Sequence, residues 1–240
     1  MIVQACINGA RPFDYHPALP LTVEAMARDS AACVAAGAAE IHLHPRAADG
    51  QESLAAVDET IRLVRRACPG TLVGVSTGAW IEGDQRRTRD YIAAWRVLPD
   101  YASVNLSEAD APAVIGLLHG IGVGVEAGLA SVEEARRLVA LADCQRVFRI
   151  LIEIDEQELS AADRIADGIA AVLAEAGVAR PILLHGFDAT VWHFVDLARQ
   201  RRWSTRVGLE DGCHRAQGDV ARNNAQLVTD AVRMMRQYAS

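Results

Sequence analysis

The 240-residue sequence contains no apolar run approaching the roughly 18–20 residues that span a membrane. No C-x-x-C pair occurs among its five cysteines (Cys6, Cys33, Cys68, Cys144 and Cys213), and their number is odd. Both facts argue against a four-cysteine zinc site and a disulfide framework. Reduced thiols, and with them a cytoplasmic setting, are the expectation. Surplus positive charge is also missing. Against 24 basic residues stand 31 acidic ones, a formal net charge of -7, with no basic stripe to hold nucleic acid and no block of like charge. The N-terminus lacks the basic n-region and small-residue cleavage site of a signal peptide and enters an apparent strand at once, Ile2-Val3-Gln4-Ala5-Cys6-Ile7. No G-x-G-x-x-G follows a strand-like run, which speaks against dinucleotide binding on an open sheet, and no composition shift divides the chain.

Hydrophobic residues make up 51% of the sequence, enough for one large core. Short apolar runs alternate with longer helical stretches from end to end. The pattern predicts strands over 2–8, 39–44, 71–76, 101–106, 121–126, 147–154, 181–185 and 204–210. Helices are predicted near 22–36, 52–67, 84–96, 110–118, 131–141, 158–176, 188–200 and 219–238. Ser131-Val132-Glu133-Glu134 reads as a capping box opening the fifth helix. Eight βα units of about 30 residues each fit a closed (β/α)8 barrel, an α/β fold, occupying residues 1–240 as a single domain. A doubly wound sheet is the alternative.

In such barrels chemistry sits at the C-terminal ends of the strands. The predicted ends carry Asn8, His42 and His44, Ser76 and Thr77, Ser103 and Asn105, Glu126, Glu153 and Asp155, His185, and Glu210 and Asp211. Polar groups at nearly every end point to an enzyme. In Ile41-His42-Leu43-His44 the two imidazoles are two apart and share one strand face, while Ile41 and Leu43 face the helices. Two convergent imidazoles suit a divalent metal, and Glu210 on strand eight can supply a carboxylate; two His and one carboxylate are a catalytic zinc set. The competing readings are a pair of hydrogen-bonded buried histidines, and a Glu210 that only pairs with Arg206 or Arg46. Arg46 itself reads as structural, paired with an acid such as Glu40.

Five segments then occur in a recognisable order: Asn8-Gly9-Ala10-Arg11 with His16-Pro17-Ala18-Leu19-Pro20-Leu21-Thr22, Glu40-Ile41-His42-Leu43-His44-Pro45-Arg46, Val75-Ser76-Thr77-Gly78-Ala79, Ala102-Ser103-Val104-Asn105, and Arg206-Val207-Gly208-Leu209-Glu210-Asp211. Together they resemble the β-keto acid cleavage enzymes, the family of the 3-keto-5-aminohexanoate cleavage protein, along nearly the whole chain. The resemblance implies a zinc-dependent barrel that converts a β-keto acid and acetyl-CoA to acetoacetate and a new acyl-CoA, working as a homo-oligomer, a tetramer or dimer. It implies one Zn2+ on His42, His44 and Glu210, an acid/base pair in Arg206 and Asp211, and substrate-carboxylate contacts at Ser76 and Ser103. Thr77, Asn105, Asn8 and Glu126 are further substrate-binding candidates from their places at strand ends. Arg11 falls where the family reads the far end of the substrate, and its charge there implies an anionic or polar far end; pairing with Asp14 is the other reading. The acidic stretch Glu153-Ile154-Asp155-Glu156 stands where the family carries a glycine-rich loop for CoA, and it is a poor phosphate cradle. A zinc hydrolase, a CoA-independent lyase and a non-catalytic metal-binding barrel therefore stay open.

Overall fold

The computed structural model describes residues 1–236, and in it eight parallel strands close into a barrel in chain order, with β8 returning to pair with β1. The strands are β1 (Val3–Cys6), β2 (Glu40–Leu43), β3 (Leu72–Ser76), β4 (Tyr101–Asn105), β5 (Gly124–Leu129), β6 (Arg149–Ile154), β7 (Ile182–Gly186) and β8 (Ser204–Val207). Helices follow every strand: α1 (Val23–Ala35), α2 (Val57–Ala67), α3 (Ala79–Glu82) and α4 (Gln85–Ala94), α5 (Ala111–Ile121), α6 (Val132–Val139), α7 (Leu159–Glu175), α8 (Val191–Arg201) and α9 (Asn224–Arg236). This is a (β/α)8, or TIM, barrel. Among the described residues no helix is long and apolar enough to cross a membrane.

Alternation along the strands builds two different cores. Outward residues such as Ile41, Leu43, Val73, Val75, Ile150, Ile152 and Ile154 are buried against the helices. Each such side chain contributes about 1.5–3 kcal/mol of burial. The interior is polar where barrels of this kind usually hold bulky apolar layers. Gln4, Glu40, Tyr101, Glu126 and Arg149 meet inside it. Arg149 Nε donates to Glu126 Oε1 at 2.5 Å, its Nη2 pairs with Glu40, and Gln4 Nε2 donates to the Tyr101 hydroxyl at 2.8 Å. This layer is the floor on which the mouth residues stand.

Helix starts follow local chemistry. Thr22 caps α1 by accepting from the Ala25 N–H. At α6 the expected box forms with one variation: Ser131 accepts from the Glu134 N–H, while the Glu134 carboxylate reaches back to the N–H of Ala130.

Two boundaries depart from expectation with consequences for the site. The fifth strand was expected over 121–126 but is Gly124–Leu129, because Ile121 closes α5 and Gly122 turns the chain out of it at φ +81°. Glu126 is therefore the third residue of its strand, inside the barrel, and not at its end. The second helix was expected from residue 52, but Arg46 and Glu52 form a bridge and a short 3-10 turn at Leu54–Ala56 precedes α2. Glu52 is thus left in the mouth loop. The last helix starts at Asn224, later than expected, and the final residues of the predicted span 219–238 lie outside the described residues.

On α1, Asp29 accepts from Asn224 Nδ2 at 2.6 Å and is mostly buried; burial lifts its carboxyl to about 6 despite that bond, with the Cys33 thiol nearby. Because the folded value lies above the unfolded one, folding is unpenalised below about pH 4 and loses stability as pH rises through about 6. Asp29→Asn keeps an acceptor for Asn224 and removes the charge. We expect it to add about 2 kcal/mol at pH 7 and nothing at pH 3.5. Urea titrations at the two pH values check this; an equal change at both would contradict it.

Candidate active site

A cavity of about 730 Å3 opens at the C-terminal ends of the strands, the end where the predicted chemistry lies. At its base His42 on β2 and His44 just beyond it turn inward, as the two-residue spacing required. Their Nε2 atoms lie 3.9 Å and 3.5 Å from Glu210 Oε1. Two metal–ligand bonds of roughly 2.0–2.2 Å hold ligands no more than about 4.4 Å apart, so these separations suit one shared ion. All three residues are buried, and one ligand atom from each lies within 4.8 Å of the others.

Unpartnered atoms favour a cation there. Glu210 Oε2 and His42 Nδ1 are buried without a hydrogen-bond partner. Burial lowers the His42 pKa to about 4, which leaves its imidazole neutral and ligating. His44 Nδ1 is fixed by Glu52 Oε1 at 2.5 Å, which directs Nε2 to the centre. Burial works against a proton on His44, but Glu210 and Glu52 outweigh it and lift its pKa to about 9, so a metal ion must displace that proton. Glu52 also accepts from Trp80 Nε1 at 3.1 Å, and the Trp80 ring stacks over His44. Sequence reasoning missed Glu52 because it was counted into a helix.

Glu210 comes from a turn, since β8 stops at Val207. Gly208 makes that turn possible: a Cβ there would lie 1.8 Å from the Cys6 carbonyl oxygen. The turn is held by Glu210 N–H to Cys6 O and by Leu209 N–H to Asn224 Oδ1 at 2.6 Å. Gly9, at φ +56°, passes so close that a Cβ would meet Glu210 Cγ at 2.4 Å. Arg206, inward on β8, donates through Nη2 to both Glu210 Oε1 and Asp211 Oδ1 at 2.8 Å. Burial works against the Glu210 charge, but Arg206, His44 and His42 hold the carboxyl well below its usual range.

The cavity wall brings together Arg11, Ser76, Ser103, Asn105 and Arg206 with the two histidines and Glu210. Four other predicted residues do not line it. Asn8 clamps the backbone of His44, accepting from its N–H and donating to its carbonyl, both at 2.9 Å. The Thr77 hydroxyl donates to Ser103 O at 2.7 Å. Glu126 is in the interior layer with Arg149, and Asp211 is fully buried one step behind Arg206. Arg11 pairs with Asp188 at 3.0 Å and not with Asp14; it also donates to the carbonyls of Glu210 and Asp211, and so ties three mouth loops together. Arg46 holds the carbonyls of Gly9, Arg11 and Gly50, while Glu40, its expected partner, belongs to Arg149. Glu153, Asp155 and Asp188 line the outer wall, so the acidic stretch noted in the sequence does face the cavity.

Residues 1–116 match the family model of the beta-keto acid cleavage enzymes. Over 81 residues the chain is 38% identical to a 3-keto-5-aminohexanoate cleavage enzyme of Fusobacterium nucleatum subsp. nucleatum and 36% identical to one of Acetoanaerobium sticklandii. Each of those alignments takes in 32% of this chain and 30% of the relative, so the matched stretch spans less than a third of the curated relatives. Among solved structures, ObcA in a ternary complex with C4-CoA adduct and oxalate superposes with a TM-score of 0.73 at 18% identity, covering 92% of this chain and 64% of that one. A type I 3-dehydroquinate dehydratase of Clostridium difficile gives 0.65 at 14% identity, covering 96% and 92%. At such identities these two structures speak for the barrel alone. Through its first 116 residues, which hold the H-x-H pair, the chain is similar to the β-keto acid cleavage enzymes, and its fold is a (β/α)8 barrel.

Proposed function

We propose that this protein breaks a carbon–carbon bond of a β-keto acid with acetyl-CoA as the acyl partner, giving acetoacetate and a new acyl-CoA. The observation that carries the reading is the convergence of His42, His44 and Glu210 at the base of a cavity lined by Ser76, Ser103 and Asn105. The three ligands would hold one zinc ion, which when bound supplies Lewis-acid polarisation of the ketone and carboxylate oxygens.

The chain's own groups do the rest. The hydroxyls of Ser76 and Ser103 and the Asn105 amide hold the substrate carboxylate by hydrogen bonds. Arg206 on the cavity wall fixes Asp211 through Oδ1, and Asp211 Oδ2, buried just behind that wall without a hydrogen-bond partner, takes the proton from the carbon between the two carbonyl groups. The C–H electron pair then forms the enolate, which attacks the thioester carbonyl. The CoA thiolate leaves and adds to the substrate ketone, and the bond from that ketone carbon to the carboxylate-bearing carbon breaks, giving acyl-CoA and an acetoacetate enolate that takes a proton. Arg11 meets the far end of the substrate with its charge already matched by Asp188, which suits a polar group there better than a second full negative charge. Asn8, Thr77 and Glu126 serve by holding His44, the β4 backbone and the floor. Assembly as a dimer or tetramer and a cytoplasmic setting belong to the same reading, supported by the family resemblance and by five cysteines that are all free.

One observation favours a second reading. Glu153 and Asp155, acidic residues of the outer wall, make a poor seat for the phosphates of CoA, which favours a lyase that cleaves the β-keto acid without it. A panel of β-keto acids, assayed on zinc-loaded protein with and without acetyl-CoA, separates the two. Acetoacetate and acyl-CoA formed together, detected by mass spectrometry, are the expected products. Cleavage at equal rate without acetyl-CoA would replace this reading with the second, and absence of any cleavage would end both.

A further inference from the structure

One imidazole at the mouth is caught between two carboxylates. His185, on β7, is 1% exposed, and neither of its ring nitrogens has a hydrogen-bond partner. Its Nδ1 lies 3.4 Å from Asp211 Oδ1 and its Nε2 lies 3.8 Å from Glu153 Oε2. Glu153 and His185 are register partners across β6 and β7, so the strands themselves fix the contact. Strand alternation turns both inward. Glu153 lines the cavity, while His185 and Asp211 lie behind the wall.

Several charged groups face this pair. Arg206 and Asp211 face the ring from β8 and the turn after it. Asp155, just after β6, and Glu108 in the loop after β4 face Glu153. Burial and Arg206 both oppose a charge on His185, yet Asp211 and Glu153 outweigh them, and its pKa lies above the usual imidazole value. A buried imidazole with one end beside the Arg206-bound Asp211 and the other aimed at a cavity-facing Glu153 is an arrangement for moving protons. Structural packing alone would leave no reason to bury two unpartnered ring nitrogens.

We propose that Glu153 and His185 form a proton-delivering pair, with Glu153 as a catalytic acid and His185 as the residue that positions and recharges it. This rests on the cleavage reading above. When the carbon–carbon bond breaks, its electron pair stays on the carbon of the fragment that keeps the carboxylate. Glu153 takes the Nε2 proton of the His185 imidazolium and passes it to that carbon, so that a C–H bond forms and Glu153 returns to its starting form. The neutral ring then takes a proton from water as product leaves. Asp211, whose Oδ2 took the substrate proton at the outset, gives it to the hydroxide left by that water, while its Oδ1, held by Arg206, orients the ring.

The test uses the full metal-loaded chain as wild type, Glu153→Gln, Glu153→Asp and His185→Gln. Turnover should fall about 100-fold in Glu153→Gln, with KM and bound metal unchanged, and Glu153→Asp should recover part of it. Independently, the His185 ring signals of substrate-free protein, assigned by their loss in His185→Gln, are titrated by NMR. In Glu153→Gln their midpoint should fall by about one pH unit, because a facing negative charge has gone. An unmoved midpoint overturns the pair, as does full turnover in Glu153→Gln. A wild type that cleaves no β-keto acid would remove the reaction but not the titration, which still supports the pair if the midpoint moves and refutes it if not.

Discussion

His44→Ala is expected to reduce bound metal from one ion per chain to a trace and to abolish cleavage of any β-keto acid. His44 gives one of three ligand atoms, and the two that remain cannot hold a divalent ion against water as a three-residue set does. The barrel should survive, because His44 lies beyond the end of β2 and above the polar floor. Its backbone stays clamped by Asn8, which needs only the His44 N–H and carbonyl. Metal analysis and circular dichroism on the purified variant give both readouts. A chelator should lower the melting temperature of metal-loaded wild type and leave that of the variant unchanged. A variant that retains stoichiometric metal would refute the ligand assignment.

The second large effect concerns the floor. Arg149→Met should destabilise the fold by about 3–5 kcal/mol, because it leaves Glu126 and Glu40 as buried carboxylates without their cation. For a chain of this size that is a fall in melting temperature of roughly 10 °C or more. Burial works against the Glu126 charge, and Arg149 holds its carboxyl below the usual range. That contribution is present at neutral pH and is lost on acidification, so the wild type and the variant should converge as pH falls. Replacing all three, Arg149→Met with Glu126→Gln and Glu40→Gln, should recover most of the loss, since the penalty lies in the unpaired charges and not in the volume. Equal stability of the single variant and wild type in chemical denaturation would show the network to be neutral.

The fold was legible because its signals are local and periodic. Seven strands lie within a few residues of where their apolar runs put them, and His42 with His44 announced a shared face through spacing alone. The failures occurred where the side chain's fate depends on a boundary. Three residues of error at the fifth strand turned the interior Glu126 into an apparent strand-end residue, because Ile121 and Val123 look alike whether they end a helix or open a strand. Glu52 was hidden inside a predicted helix. Arg149 and Glu40, 109 positions apart, meet only through barrel closure, and no local pattern announces such a partner. Asn8 was placed correctly at the mouth, but which way an amide turns, toward ligand or toward a neighbouring backbone, is decided by tertiary contacts.

The closure of β8 onto β1 also gives the metal centre a place in time. As the chain is synthesised, His42 and His44 emerge early, and Glu210 follows only after six further strands have been made. Glu210 reaches the histidines only when the turn at Gly208 has docked against Cys6, the contact that seals the last seam of the barrel. On the proposed reading, a nascent chain would offer divalent ions two ligands only, and the full three-residue set would arrive with the final folding event. On that reading, acquisition of the ion would time completed synthesis, and a truncated product lacking the last strand would have only two of the three ligands.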